Sequence, residues 1–198
     1  DKVAGSDPVP GGGSIAALNG AVASALTAMV AGLTVGKKGY EEHEELMKHI
    51  SRLSIGQQEL FVEYIDRDSE AYDRVFGCFK LPKTTDEEKA ARSAAIQEAT
   101  RFAALIPMQV ARNACELMEI IADVARLGNR NAITDACVAM MAARSAVLGA
   151  LLNVRINLAS LKDTAFVDEL KREACRLEQL ACMREKELLE VVNQELNQ

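Results

Sequence analysis

Apolar residues along this chain recur with a helical period almost throughout and with a strand period almost nowhere, so the sequence reads as all-α. A first helix is expected from about Ser14 to Thr34. Within it Ala16, Gly20, Ser24, Ala28 and Gly32 recur every fourth residue and form a ridge of small side chains on one face, which lets a neighbouring helix come close. A long amphipathic helix follows from about Tyr40 to Phe79, with Leu46, Ile50, Leu53, Leu60, Ile65, Tyr72 and Phe76 broadly on one stripe. Pro82 breaks it, and Thr85 with Glu88 three residues on is a capping box for the next helix. That helix runs toward Leu127 and carries Pro107, where a kink or split is expected. After the turn "LGNRNAITD", residues 132–158 are again rich in small side chains and pair with the first helix at the centre of a bundle. Asp163 caps a final amphipathic helix. No linker or fixed-period repeat interrupts this pattern, so residues 1–198 read as a single compact helical domain.

Composition narrows the picture. The 198 residues are 49% hydrophobic, ample for a core, and the net charge of −6 argues against a nucleic-acid surface. Residues 14–33 are apolar enough to raise the question of a membrane span, which needs about 20 such residues. Asn19 and Thr27 inside the run and the missing aromatic belt point instead to a buried helix of a soluble bundle. Five cysteines, odd in number and without a CxxC pair, read as reduced thiols used mostly as small core residues in a cytoplasmic protein. Two histidines without ligand spacing make a metal site unexpected, and the paired ExxH elements of a metal-binding bundle are missing. The chain opens on Asp1 rather than methionine, so a short preceding piece is expected.

Candidate chemistry lies where polar residues interrupt small, apolar surroundings. Gly11, Gly12 and Gly13, followed by Ser14, open a helix whose first backbone N–H groups are a natural seat for an anion. Lys37, Lys38 and Tyr40 sit at a glycine-bounded turn. Asp68 and Tyr72 share a face of the long helix, within the stretch "DSEAYD". Asp135 follows "GNRN" at the start of a nearly uncharged helix, where it either complements the helix dipole or serves a site. Asn153 and Asn157, four apart, form either an inter-helix hydrogen-bond network or part of a cleft.

Taken together, "PVPGGGSIAALNGAVASALTAMVAGLTVGKKGY", "DRDSEAYDRV", "KLPKTTDEEKAAR", "GNRNAITDACVA" and "NVRINLASLKD" resemble, in order and over nearly the whole chain, the cyclodeaminase/cyclohydrolase family of folate enzymes. The resemblance implies an all-helical homodimer acting on tetrahydrofolate one-carbon derivatives, with no metal and no cofactor beyond that substrate. It matches the glycine motif at Pro10 to Ser14, the basic turn at Lys37 to Tyr40, Asp68 with Tyr72, Gly128, Asn129 and Asp135, and Asn153 to Leu158. Thr134 stands where the family usually has serine.

The expected activity is cyclodeamination of 5-formiminotetrahydrofolate to 5,10-methenyltetrahydrofolate. Methenyltetrahydrofolate cyclohydrolysis is the alternative, and a non-catalytic folate-binding or scaffold protein the third reading. Asp135 is expected first, and Asp68 second, as the proton-transferring carboxylate. Asn129 and Asn153 would orient the substrate, Lys37 and Lys38 would meet its anionic glutamate tail, and the glycine turn would offer backbone donors.

Overall fold

The computed structural model describes residues 2–196. Five long helices follow one another: α1 (Gly12–Gly32), α2 (Glu44–Phe79), α3 (Asp86–Leu127), α4 (Ile133–Leu158) and α5 (Thr164–Leu196). Short 3₁₀ turns cover Lys2–Ala4, Glu41–His43 and Arg130–Ala132, and no strand occurs among the described residues. The bundle is all-α, as the helical periodicity requires. Two boundaries differ from expectation. The helix α1 begins early enough to take Gly12 and Gly13 into its first turn, and residues 41–43 form a 3₁₀ turn ahead of α2.

The helix α1 lies at the centre, against α2 on one side and α4 on the other. The small-residue ridge explains this. A methyl group at Gly20 would come within 2.6 Å of the Phe61 ring of α2, and one at Gly149 of α4 within 3.3 Å of Ala16. Ala16, Gly20 and Ser24 are buried, whereas Ala28 is half-buried and Gly32 is exposed, so the ridge works only along the first half of the helix. Its buried hydroxyls turn inward on their own backbone: Ser24 donates to the Gly20 carbonyl at 2.9 Å and Thr27 to that of Ala23 at 2.7 Å. Two segments, Gly12–Gly32 and Arg130–Leu158, are long and apolar enough to cross a membrane, and half of each is buried inside the bundle. Burial accounts for the apolar character of that half, and the other half is partly or fully exposed.

Both cap expectations hold. Thr85 accepts from the Glu88 backbone N–H while the Glu88 carboxylate accepts from that of Thr85, and Asp163 accepts from the Phe166 N–H at 3.1 Å. The helix α3 continues through Pro107 without a split. Proline cannot donate to the Ala103 carbonyl four residues back, and the Asn157 side-chain amide of α4 takes that place at 3.0 Å. The five cysteines are all free, but only Cys115 and Cys137 are buried; Cys175 and Cys182 are exposed and Cys78 is half-buried. The small-core-residue reading therefore holds for two of them.

Candidate active site

The N-terminus of α1 is where the chain concentrates its unusual chemistry. Gly11 caps the helix in an extended conformation without any side-chain bond, and Gly12, Gly13 and Ser14 form the first turn with their N–H groups unclaimed by the helix. A carboxylate does sit there, and it belongs to the chain itself. Asp68 of α2 accepts a hydrogen bond from Ser14 Oγ at 2.9 Å and a second from the Ser14 backbone N–H. Gly13 makes the approach possible, because a Cβ at that position would lie 2.6 Å from Asp68 Cγ. Asp68 thus takes the Ser14 donors at the expected anion seat, so the glycine turn positions a carboxylate of the protein there.

Burial pushes the Asp68 carboxyl above its ordinary value, with the two Ser14 hydrogen bonds pulling the other way. Among the described residues, Asp68 is a carboxyl that its surroundings hold above the ordinary value. An upward shift is the direction that suits a carboxyl which both accepts and returns a proton.

Around Asp68 lies a cleft of about 320 Å³. Gly11, Gly12, Gly13, Tyr72, Asn153 and Asn157 all line it, so seven of the residues expected in the site, with Asp68, meet at one place. Ser14 joins them through its bond to Asp68. Apolar walls come from Val9, Ala71, Val75 and Ile156, none of which the motifs had singled out. Val75 lies three residues beyond Tyr72 and Ile156 three beyond Asn153, the spacing that keeps residues on one helical face. Asn153 donates back to the Gly149 carbonyl at 2.9 Å and Asn157 to that of Asn153 at 3.0 Å, which leaves their side-chain carbonyl oxygens available.

The other expected residues gather elsewhere. Lys37 donates to Asn129 Oδ1 at 2.5 Å and lies 5.8 Å from the Tyr40 ring centroid, while the Tyr40 hydroxyl accepts from the Arg130 N–H. Asn129 is tied to Thr34 Oγ1 and to the Leu33 carbonyl. The "GKKGY" and "GNRN" turns therefore lock the C-terminal end of α1 to the start of α4. Lys38 is exposed, and Asp135 is half-buried with no hydrogen bond or ion pair among the described residues. Asp135 stands eighteen residues before Asn153 on α4, about 27 Å along the helix axis. One copy of the chain does not bring Asp135, Asn129, Lys37 or Lys38 to the Asp68 cleft.

A larger hollow of about 560 Å³ lies between the ends of α3 and α5, but its arginines are already paired: Arg126 with Asp123, Arg130 with Glu195, Arg184 with Glu119. Its volume is greater, yet the converging polar groups and the displaced carboxyl belong to the Asp68 cleft.

Comparison with known proteins gives this geometry its context. The family model described as formiminotransferase-cyclodeaminase matches residues 1–176. The chain belongs to the formiminotransferase-cyclodeaminase family. The Asp68 cleft lies wholly within the matched residues, as far as Asn157. A methenyltetrahydrofolate cyclohydrolase of Methylorubrum extorquens is 44% identical over 173 residues, covering 87% of this chain and 83% of that protein. The formimidoyltransferase-cyclodeaminase of Rattus norvegicus is 31% identical over 180 residues, and this chain spans only 33% of its length. The crystal structure of formiminotetrahydrofolate cyclodeaminase from Thermotoga maritima superposes with a TM-score of 0.85 at 30% identity, covering 97% of this chain and 93% of that one. The family's helical fold is therefore shared over nearly the full length.

Proposed function

We propose that this protein is a folate one-carbon enzyme that cyclises 5-formiminotetrahydrofolate to 5,10-methenyltetrahydrofolate with release of ammonia, using Asp68 as the proton-transferring group. The observation that carries the reading is the Asp68 carboxyl, desolvated in a cleft and held by Ser14 at the glycine turn. The kinship with folate cyclodeaminases and a cyclohydrolase supplies the substrate class.

The chemistry asks for two proton movements. N10 of the folate attacks the carbon of the protonated formimino group (C=NH2+) borne on N5, the C=N π pair moving onto that nitrogen, and N10 loses its proton, giving a carbon bonded to N5, N10 and an amino group. Protonation of that amino group then lets ammonia leave with the C–N bonding pair, and the methenyl cation remains. Asp68 takes the first proton as a carboxylate and returns it as an acid, a role that its raised pKa suits in both directions. As a carboxylate it also faces the cationic product. Tyr72, Asn153 and Asn157 line the walls against which the substrate is held.

Cyclohydrolysis, in which water adds to the methenyl carbon, passes through the same kind of tetrahedral carbon. The 44% identity to a cyclohydrolase supports this second reading. Near-ultraviolet absorbance of methenyltetrahydrofolate decides between them. Appearance of the chromophore from 5-formiminotetrahydrofolate, with ammonia, establishes the deaminase. Accelerated loss of the chromophore from methenyltetrahydrofolate alone establishes the hydrolase, and silence in both assays overturns the enzyme reading.

We also propose a cytoplasmic homodimer. Five unpaired cysteines suit a reducing compartment. Leu18, Val22 and Met29 of α1 and Leu33 at its C-cap, with Val138, Met141, Leu152 and Ile156 of the adjacent α4, expose an uncharged face that a second copy would cover. Light scattering at micromolar concentration tests the dimer directly.

A further inference from the structure

No cationic side chain lines the Asp68 cleft; its polar side chains are those of Asp68, Tyr72, Asn153 and Asn157. The two asparagines stand in the last two turns of α4. Their amide orientations are fixed by the backbone, because a carbonyl only accepts and the side-chain NH2 must therefore face it. Asn157 commits both amide hydrogens, one to the Ala103 carbonyl and one to that of Asn153, each at 3.0 Å. Asn153 donates to the Gly149 carbonyl at 2.9 Å. Among the described residues no donor reaches the Oδ1 atom of either.

The fold adds to the negative character of this cleft. Helix α4 ends at Leu158, so its C-terminal pole, which favours cations, lies beside the asparagines. The opposite pole, at the start of α1, is already met by Asp68 through Ser14. Consecutive glycines let the acceptors come together: a Cβ at Gly13 would lie 2.6 Å from Asp68 Cγ, and one at Gly12 would lie 3.4 Å from the Asn153 amide nitrogen. Arg155, between the two asparagines in sequence, is turned away to Glu178 of α5. A carboxylate and two amide carbonyls that share a cleft with no cation of the protein form a receptor for a cation bearing N–H groups.

We propose that Asn153 Oδ1 and Asn157 Oδ1, with the Asp68 carboxylate, form the subsite that holds the nitrogen lost from the substrate, and that this subsite favours ammonia release over attack by water. The inference rests on the cyclodeamination reading and gives the asparagines a role in the reaction beyond lining a wall. The bound C=NH2+ group offers two N–H donors. When N10 attacks, the π pair moves onto that nitrogen and the N10 proton passes to Asp68, leaving a neutral amino group. Return of the proton makes –NH3+, with three N–H donors for three acceptors. The C–N bond then breaks with its pair going to nitrogen, ammonia departs, and the positive charge stays on the N5–C–N10 unit. The contacts are most complete in the –NH3+ species just before the bond breaks, so they lower the barrier as well as tighten binding. Water adding at the same carbon leaves an uncharged hydroxyl with one donor, and two of the acceptors stay unpaired.

The test titrates the purified full chain with formamidinium, the smallest ion with the same C=NH2+ end, and follows the Asp68 carboxyl carbon by NMR. Formamidinium should bind in the millimolar range, and tetramethylammonium, a cation without N–H groups, should not. Asn153→Ala should weaken formamidinium at least about tenfold, the loss expected for a hydrogen bond to a charged group. Asn153→Asp keeps an acceptor and should bind it at least as tightly as the wild type, whereas a structural role for the amide donor would give losses in both. The Gly149 carbonyl keeps its helical donor in every variant. Asn153→Leu, of the same branched shape, replaces Asn153→Ala should that variant fold poorly. In turnover, Asn153→Ala should lower kcat for ammonia release from 5-formiminotetrahydrofolate at least about tenfold with KM changed less, and should slow any hydrolysis of methenyltetrahydrofolate by a smaller factor. The proposal is overturned if formamidinium fails to bind, if tetramethylammonium binds equally, if Asn153→Ala leaves binding unchanged, or if both reactions slow alike. Should the wild type release no ammonia from the folate, the cyclodeaminase reading falls. Formamidinium then decides the subsite: binding lost in Asn153→Ala and kept in Asn153→Asp upholds an amidinium receptor, and no binding removes it.

Discussion

Gly13 and Asp68 occupy complementary space: the carboxylate of one fills the volume that any side chain at the other would take, with Asp68 Cγ only 2.6 Å from the Cβ that alanine would introduce. Gly13→Ala must therefore move Asp68, and because that residue is seated at a helix N-terminus it has nowhere equivalent to go. The expected result is loss of turnover together with a stability drop of about 1–3 kcal/mol, the usual cost of overpacking. Gly20→Ala, which meets the Phe61 ring at the same 2.6 Å, is the comparison. Thermal melts should show both variants destabilised, whereas the titration of Asp68, followed by carboxyl-carbon NMR, should change only in Gly13→Ala.

Replacing Asp68 itself separates activity from stability. Burial raises its pKa, so the folded state holds the proton more tightly than the unfolded chain. The folded protein then loses stability as pH climbs from the ordinary value of 3.8 toward the raised one. Asp68→Asn removes that loss while keeping an acceptor for Ser14. Its turnover should fall by about 10²- to 10⁴-fold. Its melting temperature should lie close to that of the wild type near pH 4, exceed it by a margin that widens as pH climbs toward the raised value, and keep that margin above it. A variant that melts lower than the wild type at neutral pH would contradict a carboxylate destabilised by burial.

Local patterns in the chain carried most of the fold. Thr85 with Glu88 and Asp163 before Phe166 announce themselves within four residues, and helical periodicity is itself a local signal. Relationships across the bundle were not legible in the same way. The helix N-terminus looked like a seat for a ligand, but its occupant comes from 54 residues away. Asp135 stood out because its helix is nearly uncharged, and nothing in that contrast reveals which end of the bundle it occupies. Asp68, by comparison, was masked by Asp66 and Asp73 on either side, both exposed, and only burial distinguishes it from them.

Asn157 illustrates a role the motif alone does not reveal. Its amide donates to the Ala103 carbonyl that Pro107 leaves without a helical partner. Asn157→Ala should cost about 1–3 kcal/mol, the penalty of a buried acceptor left unsatisfied. In a Pro107→Ala background the backbone regains its own donor, so the same substitution should cost measurably less. A double-mutant cycle by chemical denaturation reads this coupling, and strict additivity would remove the link between the two residues.

The competition between two carboxylates can be settled by one pair of variants. A single chain keeps Asp135 about 27 Å along α4 from the cleft where Asp68 meets the glycine turn. If the cleft within one copy performs the chemistry, Asp135→Asn should retain turnover within a factor of about three, whereas Asp68→Asn should lose at least about 10². The reverse ranking would transfer the proton-moving role to Asp135 and leave Asp68 as a structural cap for α1. Comparable losses in both would have a different meaning. No motion within this bundle closes such a gap, because α1 and α4 are rigid antiparallel partners locked at Gly149–Ala16 and at Asn129–Thr34. The two ends would then have to meet across two copies. Mixing the two inactive variants would reveal it: a dimer pairing one of each would rebuild an intact site and recover part of the activity, while separate sites within each chain would give none.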